Sequence, residues 1–254
     1  MNFTPEEDLR PFQPKTSILP ALPFDSMISD KRAERFRQVL MRRTKRLAVV
    51  VEDCHDQHNA TAIIRSCDAF GVDTIHIVSS YQKFKINKQV SRGTHHFMEI
   101  FIHKSIEEAY KTLRKDGYTI YASTLTAEKV INTEELHQIY LKQPIAIVFG
   151  EESSGLSEKA TNLADGHFMI PMAGFAQSLN VSVALAVAVY SIRSKELCAD
   201  ADGNLNEAEQ EKRYTKWVKR KRGIAVDRVI EMYKGKEVEV EILNAETKEF
   251  LEDE

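Results

Sequence analysis

Cysteine is scarce in this chain of 254 residues, and the few that occur form no pattern. Cys54, Cys67 and Cys198 show neither a Cys-x-x-Cys pair nor the spacing of a cysteine and histidine metal site. An odd number of scattered thiols suits a reducing compartment better than a disulfide framework, so we expect a cytoplasmic protein. The histidines are not spaced with carboxylates or thiols as metal ligands are, so we expect no metal.

Long apolar runs are lacking as well. No basic and then apolar signal sequence opens the chain. The longest apolar run, near residues 181–190, is shorter than the roughly 18 to 20 residues that span a bilayer. We therefore expect neither secretion nor a membrane partner.

A glycine-rich phosphate loop is also missing, because no Gly-x-Gly-x-x-Gly follows the first apolar run. Alternation of apolar runs with helical patterns is typical of an α/β fold, a mostly parallel sheet with helices on both faces. The missing motif argues against the dinucleotide-binding version of that fold. The predicted strands lie near residues 47–52, 74–79, 97–102, 118–123, 145–149 and 167–170.

Proline and composition shifts predict how the chain is divided. Five of the seven prolines lie between Pro5 and Pro23, which favours an irregular arm rather than a folded unit. The run CADADGNLNEAE, which starts at Cys198, interrupts the apolar pattern as a linker does. The predicted divisions are the arm (1–28), a basic amphipathic helix (29–46), the main domain (47–197), and a linker with a basic helical segment and an acidic tail (198–254).

Three segments of the main domain share one architecture, in which an apolar strand leads through a polar turn into a helix. In the first, Asn59 is the predicted N-cap of a helix that Gly71 ends. In the third, Ser178 and Asn180 stand at the start of a very apolar helix predicted over residues 179–192. These two residues either cap that helix or orient a ligand. Polar turns at three strand ends suggest one composite site.

The three segments, in this order, closely resemble the motifs of the SPOUT superfamily of RNA methyltransferases, and specifically its TrmH-type branch of tRNA guanosine ribose 2'-O-methyltransferases. The match includes Asn59 and Arg65 in NATAIIRSCDAFGV, Glu152 in FGEESSGLS, and Ser178 and Asn180 in IPMAGFAQSLNVSVA. The resemblance implies a C-terminal deep trefoil knot, a homodimer, and methylation of the D-loop guanosine (position 18) of tRNA by S-adenosylmethionine. It implies that the cofactor is held largely by backbone groups, which by position belong to Ser123, Thr124, Gly150, Ile170, Met172, Ser178 and Leu179.

The same resemblance implies catalytic roles. Arg65 is expected to hold a phosphate and to place positive charge beside the forming alkoxide. A guanidinium does not readily give up its proton and so does not act as the base; the proton of the ribose 2'-hydroxyl is expected to pass to a phosphate, to water or to a neighbouring acceptor. Asn59 would position Arg65 or the ribose, unless it is a plain N-cap. Glu152 would hold its loop or a substrate group, unless it only stabilises a helix start. Ser178 and Asn180 would shape the cofactor loop and contact the ribose.

Two basic segments flank the main domain and indicate RNA binding, although the net charge is only −3. On a helical projection, one stripe of the first segment holds Lys31, Arg35, Arg42 and Arg46. The second segment surrounds Trp217, the only tryptophan, which either stacks on an exposed base or docks on the core. Its predicted phosphate contacts are Lys219, Arg220 and Lys221.

Alternative functions stay open at this point. A ribosomal RNA target is one, and a knotted RNA-binding protein without catalysis is another. The short arm and the basic C-terminal segment favour the tRNA branch. Four histidines lie in or near candidate loops, namely His55, His58, His95 and His96, and any of them could accept a proton at neutral pH. His58 and His95 are spare candidates for that role, but His95 and His96 lie in a stretch that varies in the family pattern and are assigned no catalytic role.

Overall fold

The structure, a computed structural model, describes residues 16–54, 56–79, 93–124, 129–151 and 154–233, apart from the side chains of residues 221, 222 and 233. Its strands are β1 (Thr44–Glu52), β2 (Val72–Val78), β3 (Glu99–His103), β4 (Thr119–Ser123), β5 (Ile131–Asn132), β6 (Ile145–Phe149) and β7 (Gly166–Met169). Its α-helices are α1 (Asp30–Arg42), α2 (Gln57–Ala69), α3 (Ile106–Lys115), α4 (Thr133–Tyr140), α5 (Glu158–Leu163), α6 (Val181–Cys198) and α7 (Glu207–Tyr233). Turns of 3-10 helix at Asp25–Met27 and Thr94–Phe97 precede α1 and β3.

The described strands form one parallel sheet in the order β3-β2-β1-β6-β4-β7-β5. Near its centre, Val49 of β1 pairs with Ile75 of β2 on one side and with Ile147 of β6 on the other. Such strands are buried on both faces, which explains their nearly continuous apolar sequences. The predicted α/β class is confirmed. Each of the six predicted strands corresponds to an observed one, and the short β5 was not predicted.

Helices cover both faces of the sheet. On one face, α2 and α6 pack against β1, with Ile63 and Leu185 fully or almost fully buried in the same cluster. On the other face, α3 and α5 pack together, and the Tyr110 hydroxyl donates to the Ala160 carbonyl over 2.9 Å. Within the described residues, no helix is both long and apolar enough to cross a membrane.

A second hydrophobic core lies where the N-terminal segment, α1 and α7 meet. Leu19 and Phe24 are 3% and 2% exposed, and Asp25 accepts hydrogen bonds from Arg37 and Tyr214, both over 2.6 Å. The arm predicted over residues 1–28 is therefore irregular from residue 16 onward but packed, because apolar side chains between its prolines are buried. Residues 1–15 and the acidic tail from residue 234 lie outside the described ranges.

The basic helix predicted to reach residue 46 ends at Arg42 instead. Arg43 is extended and fully buried, with its guanidinium bonded to the Val72 carbonyl and to Asp68. Arg46 therefore lies in β1, where it donates to the Tyr140 and Leu141 carbonyls over 2.8 Å. The predicted stripe of four helical cations is wrong at this position, because α1 ends at Arg42 and the chain enters β1 at Thr44, with Arg43 buried between them and paired with Asp68.

Candidate active site

A cavity of about 480 Å³ opens at the carboxyl ends of β4, β6 and β7. Of the three polar turns predicted to form one composite site, those after β6 and β7 line this cavity and the one after β1 does not, whereas the end of β4 supplies a further part of the wall. The Thr124 amide donates to the Phe168 carbonyl over 3.1 Å, which ties the end of β4 to β7. All seven residues predicted to hold the cofactor line the cavity: Ser123, Thr124, Gly150, Ile170, Met172, Ser178 and Leu179.

The loop after β6 forms one wall of the cavity and folds back on itself. Glu151 and Gly155 exchange two backbone hydrogen bonds, of 3.1 and 2.9 Å. A side chain at Gly150 would collide with this closure, because its Cβ would lie 2.1 Å from the Gly155 carbonyl oxygen. Gly155 itself has φ +69°, which favours glycine. Glu152, a predicted catalytic residue, lies outside the described residues.

The segment before α6 forms another wall. Residues 171–180 are all exposed in the single chain. Asn180 is the N-cap of α6, and its Oδ1 accepts from the Ser182 and Val183 amides over 2.9 and 3.3 Å. The helix predicted to start at residue 179 thus begins at Val181. It runs to Cys198 rather than residue 192.

Asn59 is not the N-cap that the sequence predicted. Asp56 caps α2 instead, with its Oδ1 accepting from the His58 amide over 2.8 Å. Asn59 sits in the first turn, 8% exposed, and its Oδ1 accepts from Asn180 Nδ2 over 3.1 Å. Two predicted catalytic residues from distant segments are therefore in direct contact. Arg65 lies two turns further along α2, exposed, and is not among the residues that line the cavity.

Sequence reasoning missed the wall that α5 contributes. Glu158, Thr161 and Asn162 line the cavity from one side of this helix. Their spacing of three and four residues was a readable signal for one polar helix face. The nearly buried Glu52 at the end of β1 accepts from the Ser157 amide and hydroxyl over 2.9 and 2.8 Å, which fixes the entry to α5.

Two buried histidines lie apart from the cavity, on neighbouring strands of the sheet. His76 Nδ1 and His103 Nε2 are 2.9 Å apart, and their rings are stacked. Burial, with a smaller contribution from His103, lowers the pKa of His76 to about 4. Among the described residues, no group of three or more histidines, cysteines or acids is placed to hold a metal ion.

The predicted RNA contacts on helices divide into exposed side chains and half-buried ones. Lys31 and Arg220 are exposed, whereas Arg35 and Lys219 are half-buried, and Lys219 also pairs with Asp227. Arg42 is half-buried and pairs with Asp200 over 2.9 Å, and the Lys221 side chain is outside the described set.

Trp217 was expected either to stack on an exposed RNA base or to dock on the core, and it is not exposed for stacking. It is 3% exposed and packs edge-on against Phe36 and Phe97, with ring centroids 5.3 Å apart in both pairs. The alternative, docking on the core, is what the structure shows. The rings that contact it come from α1 and from the turn before β3. The sequence around Trp217 contains no signal for these distant contacts.

Comparison with known proteins agrees with this geometry. The model of the SpoU rRNA Methylase family matches residues 46–190. The tRNA (guanosine(18)-2'-O)-methyltransferase of Thermus thermophilus is 37% identical over 171 residues, which are 67% of this chain and 86% of that protein. The Aquifex aeolicus protein of the same name is 34% identical over 196 residues, which are 75% of this chain and 90% of that protein.

Solved structures give the same picture. The crystal structure of the A. aeolicus TrmH/SpoU tRNA modifying enzyme superposes with a TM-score of 0.67 at 32% identity, covering 76% of this chain and 97% of that chain. The SpoU methyltransferase AviRb of Streptomyces viridochromogenes, solved with AdoMet, has a TM-score of 0.53 at 22% identity, with 63% and 64% covered. The second likeness shows a shared fold only.

Proposed function

This chain belongs to the SpoU methylase family, and we propose that it transfers a methyl group from S-adenosylmethionine to the ribose 2'-oxygen of guanosine 18 in tRNA. The observation that carries the proposal is the single cavity around which all seven predicted cofactor residues meet. The proteins named for this reaction match most of the chain at 34–37% identity, which supports the tRNA target over a ribosomal one.

The cavity fits this cofactor in size and chemistry. Its volume of about 480 Å³ is within the range typical of small-molecule sites. Strand ends at Ser123 and Gly150 offer backbone donors and acceptors for an adenine edge, and Met172 and Leu179 offer apolar surface for its ring. Bound there, the cofactor supplies an activated methyl group.

The protein's own residues must then prepare a weak nucleophile. The 2'-hydroxyl loses its proton only at a pH far above neutrality, so its attack requires alignment, stabilisation of negative charge and a proton acceptor. Arg65 provides the charge and holds a substrate phosphate or hydroxyl, while the proton leaves to that phosphate, to water or to a neighbouring acceptor. Asn59 and Asn180, joined by a hydrogen bond, fix α2 beside the cofactor loop.

A homodimer built on α6 completes the proposal. Val183, Val187 and Tyr190 are 48%, 41% and 47% exposed and recur at intervals of four and three residues along one side of the helix. The opposite side of α6 is already buried in the core, so a second copy of the chain is the natural cover for this stripe. Because Arg65 does not line the cavity of its own chain, a partner would also complete the site.

The dimer is tested by sedimentation of Val187→Glu, which should become monomeric and inactive. Lys111→Glu, an exposed change on α3, is the control and should stay dimeric. The knot implied by the family resemblance stays a prediction. The strand order fits it, because β7 lies between the earlier strands β4 and β5.

The reaction is tested by locating methylated riboses in tRNA transcripts after incubation with purified protein and S-adenosylmethionine. Methylation at guanosine 18, insensitive to a chelator and absent when that position is 2'-deoxyguanosine, is the expected result. Methyl groups on a base would contradict it. Mapping methylated riboses in total RNA with and without the protein distinguishes the alternative functions. New methylation only in ribosomal RNA would indicate a ribosomal target, and no new methylation would indicate an RNA-binding protein without catalysis.

A further inference from the structure

Helix α2, which carries Asn59 and Arg65, is fixed at both ends by groups from α6 or its cap. At the start of α2, Asn180 Nδ2 donates to Asn59 Oδ1 over 3.1 Å. At its end, the Arg193 guanidinium donates to the carbonyl of Phe70, the C-cap residue. At about 1.5 Å per residue, these anchors are roughly 16 Å apart along α2. Two anchors at this separation restrict sliding and rotation of the helix, and Arg65 lies between them.

The anchor at Phe70 is built around the arginine. Arg193 is 1% exposed. The neighbouring Gly71 has φ +70°, and a Cβ there would lie 2.7 Å from Arg193 Nη1 and 2.8 Å from the Arg42 carbonyl oxygen. The glycine that ends α2 thus also leaves the space that the guanidinium fills. The Phe70 ring packs beside Tyr190 of α6, with centroids 5.5 Å apart.

The charge of Arg193 is balanced by a short chain of hydrogen bonds. Its Nε donates to Glu196 Oε2 over 3.2 Å, and the Tyr140 hydroxyl donates to the same oxygen over 2.8 Å. Glu196 is 25% exposed, so it balances the charge of the buried Arg193 from the edge of the core while Nη1 bonds the Phe70 carbonyl. The arrangement therefore fixes the C-terminal end of α2 relative to α6.

We propose that Arg193 is a positioning residue, which holds α2 in register with α6 so that Arg65 is presented to the substrate. The inference rests on the proposed methyltransferase function. Arg193 is not one of the catalytic residues that the three motifs predicted. Its proposed role means that α6 supports both the cofactor loop, which precedes it, and α2, which carries Arg65.

The test compares Arg193→Lys and Arg193→Met with Lys195→Gln in steady-state methylation of tRNA. Lys195 is the matched control, since it lies on the same helix but forms an exposed pair with Glu134 over 2.9 Å. We expect kcat to fall by up to about 100-fold in the Arg193 variants, since a displacement of about 1 Å can cost that much. Lysine should lose less than methionine, and the control should keep wild-type kcat.

Cofactor binding distinguishes a loss of α2 positioning from partial unfolding of the protein. The dissociation constant and stoichiometry for S-adenosylmethionine, measured by calorimetry, should stay at wild-type values in Arg193→Lys. A stoichiometry that falls in proportion to kcat would mean that part of the protein is unfolded, and would overturn the inference. Glu196→Gln provides a milder second variant, which leaves Arg193 in place but removes its balancing charge, and it should lower kcat in the same way.

A double-mutant cycle identifies the group through which Arg193 acts. In an Arg65→Ala background, single-turnover rates should not fall further when Arg193→Lys is added, because the positioned group is already gone. Rate losses that multiply would refute the inference. If Arg65→Ala alone leaves turnover intact, the catalytic assignment fails instead, so the two failures are distinguishable.

Discussion

Gly150→Ala should abolish most cofactor binding while leaving the chain folded. The new Cβ would lie 2.1 Å from the Gly155 carbonyl oxygen and 2.4 Å from the Leu156 amide nitrogen, both of them backbone atoms. An ordinary contact begins at 3.4 Å, so the Gly155 backbone must retreat by about 1.3 Å, the difference between 3.4 and 2.1 Å. A side-chain rotation cannot relieve this clash.

The retreat strains the two hydrogen bonds between Glu151 and Gly155, which close the loop beside the cavity. Two backbone bonds correspond to about 1–3 kcal/mol of the free energy of unfolding. A wall displaced by about 1 Å should weaken S-adenosylmethionine binding by about 10- to 100-fold, or about 1.4–2.8 kcal/mol.

Calorimetric titration with the cofactor, alongside thermal melting, measures both quantities. Gly174→Ala is the matched control in the segment before α6, because a Cβ there meets nothing within 4 Å. It should bind the cofactor like wild type. If Gly150→Ala also binds like wild type, the loop after β6 does not frame the cofactor and the assignment of this cavity is wrong.

Four further predictions concern residues with separate roles. Arg65→Ala should lose most turnover, measured by kinetics, yet keep its affinity for S-adenosylmethionine, measured by calorimetry. If turnover and cofactor affinity fall by equal factors, Arg65 contacts the cofactor rather than the substrate. Trp217→Ala should lower the free energy of unfolding by about 3–5 kcal/mol with little change in tRNA affinity, whereas Arg220→Gln should weaken binding and flatten its salt dependence. Burial lowers the pKa of His76 from its ordinary value of 6.5 to about 4, so its neutral form stabilises the fold above that range and this stability is lost as the pH falls. Stability in urea titrations should therefore drop by up to about 3 kcal/mol from pH 7 to 4, and His76→Asn should remove most of that drop.

The strands and the cavity were predictable because both depend on local sequence. An apolar run such as residues 145–149 predicts a buried strand without further information. The polar turn that follows it marks the end of the strand, where the cavity lies. Parallel strands present their carboxyl ends at one edge, and the strand order, which the sequence did not predict, makes β6, β4 and β7 neighbours there. The family resemblance then selected which of those residues to name.

Contacts between distant segments could not be predicted in the same way. A helical projection placed Arg46 among cations, but the helix ends where Arg43 becomes buried against Asp68, 25 residues away. Trp217 lies among lysines and arginines in sequence, yet its ring fills a space between α1 and the turn before β3. In both positions the neighbours in space outweigh the neighbours along the chain.

Asn180 shows why the choice between a helix cap and a site residue could not be made from sequence. An asparagine side chain has an accepting oxygen and a donating nitrogen, and a cap uses only the oxygen. Here Oδ1 caps α6, while Nδ2 holds Asn59 of α2. Asn59 is available for this contact because Asp56, three residues earlier, already caps α2. The cap interpretation of Asn180 is therefore confirmed at Oδ1, while a role in orienting a ligand stays a prediction. The bond from Nδ2 to Asn59 couples the start of the cofactor-side helix to the helix that carries Arg65.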